Sequence, residues 1–224
     1  MVLALLILMS VLFAVTHIGM SHDPLRAYLV DQIGPKAFQV VYSIVSFITF
    51  GGAIWIFAGH RKMGPVLWTM PHWLSPVVYL LVLMAFLLLV LSMRDRSPAG
   101  MVGGKLEPSG VLRITRHPMN MALACFGLAH IIANGSLGDV FFFGSIFVVG
   151  FFGPYHQDRR KVRELGEAYV VFQNQTGVLP FAAIVQGKTK LEAREFSIPF
   201  VVIAVLAFVS AIVFHEDLFG IRPY

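Results

Sequence analysis

Apolar and charged positions fall into separate blocks along this chain. Uncharged stretches run over 1–22, 37–60, 63–93, 117–138, 140–157 and 196–215, and the charged residues are confined to the gaps. A helix needs about 20 mostly apolar residues to cross ~30 Å of hydrocarbon, so each block is close to one crossing. The spans this predicts are 2–19, 38–58, 74–93, 118–134, 140–152 and 198–214, the fifth being the shortest in strongly apolar residues. Pro118 suits a first helical turn, where its missing N–H loses nothing, and Asn134-Gly135 reads as a stop, so the fourth and fifth spans form a tight hairpin. Barrel strands would alternate apolar and polar residues, and these blocks do not. The expected fold is an all-α, polytopic membrane bundle of about six transmembrane helices, forming a single domain over 1–224.

The longest gap, 153–197, carries its own pattern. Val162, Leu165, Tyr169 and Phe172 recur at helical spacing against Arg159, Arg160, Lys161, Arg163, Glu164 and Glu167. This predicts an amphipathic helix over 158–172 lying along the cytoplasmic membrane surface. Pro180 and a short apolar patch, 181–185, follow it.

Composition narrows the class. The chain is 57% hydrophobic and 13% charged, against about 25% charged in ordinary soluble domains, which excludes a soluble globule and a disordered chain. Net charge is +5, and its distribution points to a lipid bilayer rather than nucleic acid. Of the 17 Lys and Arg residues, 14 fall in alternate loops on one side and 3 on the other. The positive-inside rule then puts the basic side in the cytoplasm and both termini outside, as expected for a bacterial inner-membrane protein. The N-terminus has no basic leader region or clear cleavage site, so the first apolar run reads as a retained span. Cys125 is the single cysteine, which excludes an intramolecular disulfide.

Histidine carries the candidate chemistry. His22, His60, His72, His156 and His215 lie at span ends, where a ring sits at the lipid headgroups. His17 and His130 fall inside predicted spans, and His117 stands at the mouth of the fourth. Ionisable residues at membrane depth usually face a bundle interior or a functional cavity. Two readings stand for His17 and His130: a neutral imidazole hydrogen-bonded to a neighbouring helix, or a ligand to a metal or haem iron. Counted along their spans, the two differ in depth by roughly 10 Å at 1.5 Å per residue. On the basic side, Arg26, Arg113 and Arg116 offer guanidinium groups that suit two haem propionates. Enforcing topology or binding lipid phosphates is the plainer role for them.

The most distinctive string is Gly110-Val111-Leu112-Arg113-Ile114-Thr115-Arg116-His117-Pro118-Met119-Asn120. Asp158-Arg159-Arg160, Gly166-Glu167-Ala168-Tyr169 and Thr176-Gly177-Val178-Leu179-Pro180-Phe181 follow it, with Thr16-His17, Leu25-Arg26 and Ala129-His130 elsewhere. In these residues, over most of its length, the chain resembles the NnrU family, which includes the plant and cyanobacterial 15-cis-zeta-carotene isomerases. The resemblance implies a b-type haem with histidine ligands that isomerises a cis double bond of a polyene. The matching ligand positions are His17 and His130, which would also be the catalytic residues, with His117 beside the cytoplasmic mouth. In denitrifying bacteria the family name is tied to nitrite and nitric oxide metabolism. Nothing in the sequence selects between a carotenoid substrate and a nitrogen-oxide role, and the oligomeric state is not legible.

Two other readings compete. Membrane methyltransferases that bind S-adenosylmethionine also use Arg-His-Pro followed by a Gly-Glu-x-Tyr segment. Here Met119-Asn120 replaces the usual aromatic residue, the basic run Arg159-Arg160-Lys161 replaces an acidic pair, and an extra span follows at 198–214. A non-catalytic membrane assembly or redox partner would use the same spans, with His17 and His130 as helix-to-helix hydrogen bonds.

Overall fold

The computed structural model describes residues 1–100 and 103–223. The chain forms α1 (Val2–Ser21), α2 (Leu25–Gly59), α3 (Ser75–Arg94), the single turn α4 (Val111–Ile114), α5 (Pro118–Ala133), α6 (Leu137–Leu165), α7 (Glu167–Gln175), the single turn α8 (Ala182–Val185), α9 (Ile198–Val213) and α10 (His215–Phe219). The only β pairing among the described residues is an isolated bridge, Val66 with Ser136. The fold is therefore all-α. Counting the short turn before α3, four helices among the described residues are long and apolar enough to cross a membrane: Val2–Ser21, Leu25–Gly59, His72–Arg94 and Leu137–Leu165. Helices α5 and α9 are equally apolar but have 16 residues each, about 24 Å at 1.5 Å per residue.

The six apolar helices stand in one row, ordered α2, α1, α6, α5, α3, α9. Neighbours run antiparallel except α1 and α6, which run parallel. Leu6 near the start of α1 meets Gly138 and the Phe142–Phe143 cluster of α6, and His22 past the end of α1 meets His156. Both helices lead to the end of the bundle that carries Arg94, Arg113, Arg116, Arg159, Arg160 and Arg163, here called the basic end. Outward-facing side chains are apolar: Phe47 is 81% exposed and Trp55 83%, an arrangement stable only where lipid replaces water.

Glycine sets the closest approach. A Cβ on Gly127 of α5 would lie 2.7 Å from the Phe147 backbone nitrogen, and one on Gly150 of α6 would lie 2.6 Å from both Asn120 O and Ala124 N. With no hydrophobic drive between helices in lipid, such small-residue seams let dispersion contacts hold the pair. The α5–α6 turn is closed by Ser136, whose side chain accepts from the Asp139 N–H. The loop after α2 lies over this turn, with Leu67 N–H donating to Gly135 O and Gly138 N–H to Met63 O.

Two boundaries differ from the sequence expectation. Helix α2 begins at Leu25 rather than near 38, and bends at Gly34 (φ 78°) before Pro35. Its first turns carry Arg26 and Asp31, which hid them from a search for uncharged runs. The surface helix expected over 158–172 is divided. Residues 158–165 continue α6 without a break, because Asp-Arg-Arg-Lys-Val-Arg-Glu-Leu is made largely of good helix formers. The chain turns only at Gly166 (φ 60°), so the fifth span extends into a helix of 29 residues. What remains beyond it is α7, which buries Tyr169 and Phe172.

Substituting Gly150→Ala forces backbone apart and should cost about 1–3 kcal/mol, read as a lower melting temperature in detergent. Gly144→Ala, whose Cβ meets nothing within 4 Å, should be neutral or gain up to about 1 kcal/mol of helix propensity. Equal melting temperatures for the two variants would contradict the seam.

Candidate functional site

His17 sits in the α1–α2 seam. Phe13, His17 and Ser21 share one face of α1 at a spacing of four residues and meet Tyr42, Ser46 and Phe50 of α2. His17 Nδ1 is 3.1 Å from Ser46 Oγ, and its ring lies 5.2 Å from Phe13 and 4.8 Å from Tyr42. The Tyr42 hydroxyl donates to the His17 carbonyl at 3.2 Å and accepts from Ser21 Oγ at 3.1 Å. Further from the basic end the seam opens into an apolar groove of about 560 Å³ walled by Leu5, Met9, Phe47, Gly51, Gly52 and Trp55 among others. It exists because Gly52 places no side chain against Met9 and Gly51 leaves the adjoining space open.

His130 lies near the far end of α5. Its Nδ1–H donates to the Phe126 carbonyl at 2.8 Å, and its ring packs between Phe126 and Phe143, with centroids at 4.1 and 4.6 Å. A carbonyl only accepts, so the ring proton is on Nδ1 and Nε2 keeps its lone pair. That is the tautomer a metal ligand uses, with the second nitrogen oriented by a hydrogen bond.

The two histidines are not brought together. The contacts between α1 and α6 pair residues about 134 positions apart (His22 with His156), which places His17 level with residue 151. His130 stacks on Phe143, eight residues away, about 12 Å along the axis. Helix α6 also stands between α1 and α5. Two axial nitrogens of one iron must face each other across it, so His17 and His130 in this arrangement do not fit as a pair on a single haem. Each fits by its donor chemistry alone. Among the described residues, no three His, Cys, Asp or Glu side chains are grouped to hold a metal ion.

The Arg116-His117-Pro118 string forms a different kind of centre. His117 is 2% exposed. Its Nε2–H donates to Asp158 Oδ1 at 2.7 Å, and Nδ1 is 3.2 Å from Gln157 Oε1. Arg116 donates to the same carboxylate through Nε and Nη2, the latter at 2.7 Å, and through Nη1 to Thr176 O at 3.0 Å. The Tyr169 hydroxyl completes the set, donating to Asp158 Oδ1 at 2.6 Å. Burial first, and then the adjoining carboxylate, push the Tyr169 phenol far above its ordinary range. Backbone bonds bind the same segments, Arg116 N–H to Gly177 O and Phe181 N–H to Ile114 O, and the Thr115 hydroxyl donates to Val178 O at 2.6 Å.

Arg113 is likewise engaged. Its Nε and Nη2 donate to the two Glu195 oxygens, each at 2.7 Å, and Nη1 reaches Thr189 Oγ1. The Arg113 hydrogen bonds hold the Glu195 carboxyl down at about 2, and the Gly110 N–H adds to this. The guanidinium of Arg26 lies 5.4 Å from the Phe38 ring centroid. Of the three arginines expected to meet haem propionates, Arg113 and Arg116 thus have forks held by the chain's own carboxylates, and Arg26 rests on an aromatic face. Sequence reasoning missed Asp158, Tyr169 and Glu195 as their partners. The available signal was Asp158 itself, an acid closing an otherwise apolar span within a basic run.

Asp158→Ala strands Arg116 among buried groups and should destabilise by about 3–5 kcal/mol, whereas Tyr169→Phe, losing one bond to a charged acceptor, should cost about 1–3 kcal/mol. Thermal unfolding in detergent gives both values, and the order should not reverse. The Arg113–Glu195 pair also has an acid signature. Its folded-state carboxyl lies below the ordinary value of 4.5, so its stabilisation is complete above pH 4.5 and is lost as pH falls towards 2. Glu195→Gln should lower the melting temperature at neutral pH and flatten the decline across that window.

Comparison with known proteins supplies the relationship. The chain is 29% identical over 215 residues to the 15-cis-zeta-carotene isomerase, chloroplastic, of Zea mays, covering 90% of this chain and 57% of that protein. It is 28% identical over 203 residues to the protein of the same name from Arabidopsis thaliana, covering 83% and 52%. The chain therefore spans a little over half the length of these relatives. No solved structure matches it significantly. The family model described as NnrU protein matches residues 5–223, nearly the whole chain with its Arg-His-Pro centre, and the chain belongs to the NnrU family.

Proposed function

We propose that this protein is a membrane-embedded cis–trans isomerase of a long apolar polyene, which enters sideways from the lipid along the α1–α2 seam. The carrying observation is the groove of about 560 Å³ between Leu5, Met9, Phe47, Gly51, Gly52 and Trp55. It opens on the face where Phe47 and Trp55 are most exposed, so a hydrocarbon chain can pass from bilayer to groove without meeting water. The names of the two relatives support the substrate class. The charge asymmetry supports an orientation with the basic end on the cytoplasmic side.

In this reading the chain's own residues bind, orient and keep dry. Met9 lines the groove from α1, the glycines admit a flat conjugated chain close to the α2 backbone, and the exposed rings of Phe47 and Trp55 border it. His17 is the polar ring of the same seam, eight residues and about 12 Å from Met9 along α1. A polyene that spans the leaflet would lie beside both. Rotation about a double bond requires its bond order to fall transiently. A haem b held by a single histidine, His17 or His130, would supply one-electron or Lewis-acid chemistry for that when bound.

The test is direct. The chain reconstituted in lipid nanodiscs and incubated in the dark with a cis polyene should convert it to the trans isomer, followed by chromatography. Gly51→Leu, whose Cβ direction is open, fills the groove without disturbing packing. It should cut turnover about tenfold or more by displacing the substrate, with an unchanged melting temperature. Undiminished turnover in that variant would remove the groove from the reaction. A Soret band weakened by His17→Ala or His130→Ala would support the haem, and its absence from an active preparation would remove the haem alone.

A further inference from the structure

A second site stands at the basic end, where α1 finishes against α6. His22 Nδ1 lies 3.0 Å from His156 Nδ1, and these rings, with Asp23, Arg159 and Arg163, line a cleft of about 220 Å³. At ~30 Å³ per water, that is room for about seven water-sized groups. His156, Arg159 and Arg163 follow at spacings of three and four on one face of α6, so they converge rather than scatter.

Charge in the cleft is unevenly matched. Asp23 Oδ2 pairs with Arg163, but Asp23 Oδ1 is buried with no hydrogen-bond partner. Arg159 forms no ion pair among the described residues, whereas the neighbouring Arg160 and Lys161 both reach Glu164. In the histidine pair one Nδ1 donates to the other, and the accepting ring then carries its proton on Nε2, a further donor. The cleft thus presents a cation and an N–H in want of an acceptor, beside a carboxylate oxygen in want of a donor.

We propose that this cleft holds the headgroup of a phospholipid of the ethanolamine type, with the phosphate on Arg159 and the histidine pair and the ammonium on Asp23 Oδ1. The location suits it. The 20 residues of α1 span about 30 Å at 1.5 Å per residue, so His22 and Asp23 emerge where hydrocarbon gives way to phosphates. A choline headgroup carries the same phosphate but has no N–H for Asp23, and a free phosphate offers no cation. The proposal is independent of the isomerase reading, because none of these residues lines the groove.

The full chain in phosphatidylcholine nanodiscs, with and without added phosphatidylethanolamine, tests this through the melting temperature and through lipid retained in native mass spectrometry. Ethanolamine lipid should raise the melting temperature by about 2–4 °C and remain bound. Arg159→Gln and His156→Asn should remove the shift, Asp23→Asn should erase the preference over choline lipid, and Lys190→Gln, at an exposed site elsewhere, should keep both. Arg159 is exposed, so its variant folds even if Asp23→Asn does not. An equal response to choline lipid, the same shift from inorganic phosphate in detergent, or a shift surviving in Arg159→Gln would each overturn the proposal.

Discussion

A carboxylate taken out of water must be repaid in hydrogen bonds, and Asp158 is the place where this chain meets that constraint. Alone, the group would cost several kcal/mol to bury. It is surrounded by the Arg116 fork, the His117 ring and the Tyr169 hydroxyl, three donors from two distant parts of the chain. Their convergence fixes the start of α5 against the late part of α6 and pins α7 to the bundle. It also holds the loop 176–181, which exchanges two backbone hydrogen bonds with the segment 114–116. The arrangement closes the basic end of the densest half of the molecule.

The bundle divides into two kinds of packing. From α6 through α5 to α3, glycines and alanines bring backbones close and the side chains between them are buried. From α6 through α1 to α2, contacts are looser, aromatic rings such as Phe13 and Phe50 stack at 4.4 Å, and the groove opens between them. One half is closely packed and internally satisfied; the other offers apolar surface that can exchange lipid for a guest. His130 belongs to the first half and His17 to the second, and this division separates them more than depth alone does.

The spans were legible because hydrophobic length leaves a direct trace in sequence. Helix ends were less so. Residues 25–33 and 158–165 are helical but charged, and a search that equates polarity with the end of a span stops short of Gly34 in one case and Gly166 in the other. The Arg113 and Arg116 clusters were visible as chemistry, yet their partners lie 82 and 42 residues later, a pairing that no local pattern encodes. Likewise His17 and His130 stand out by type, while the neighbour each ring faces depends on the order of helices in the row. That order leaves no periodic signal.

The parallel contact of α1 with α6 has a consequence for how the molecule is made. Adjacent hairpins in the row can meet soon after synthesis, but the flank of α1 that carries the buried Leu6 and Ser10 waits more than a hundred residues for α6, as α3 does for α9. Until then the first two helices sit in the bilayer as a free hairpin. The groove between them is therefore older than the bundle in each round of biosynthesis, and assembly brings the closely packed half to a pair already in lipid.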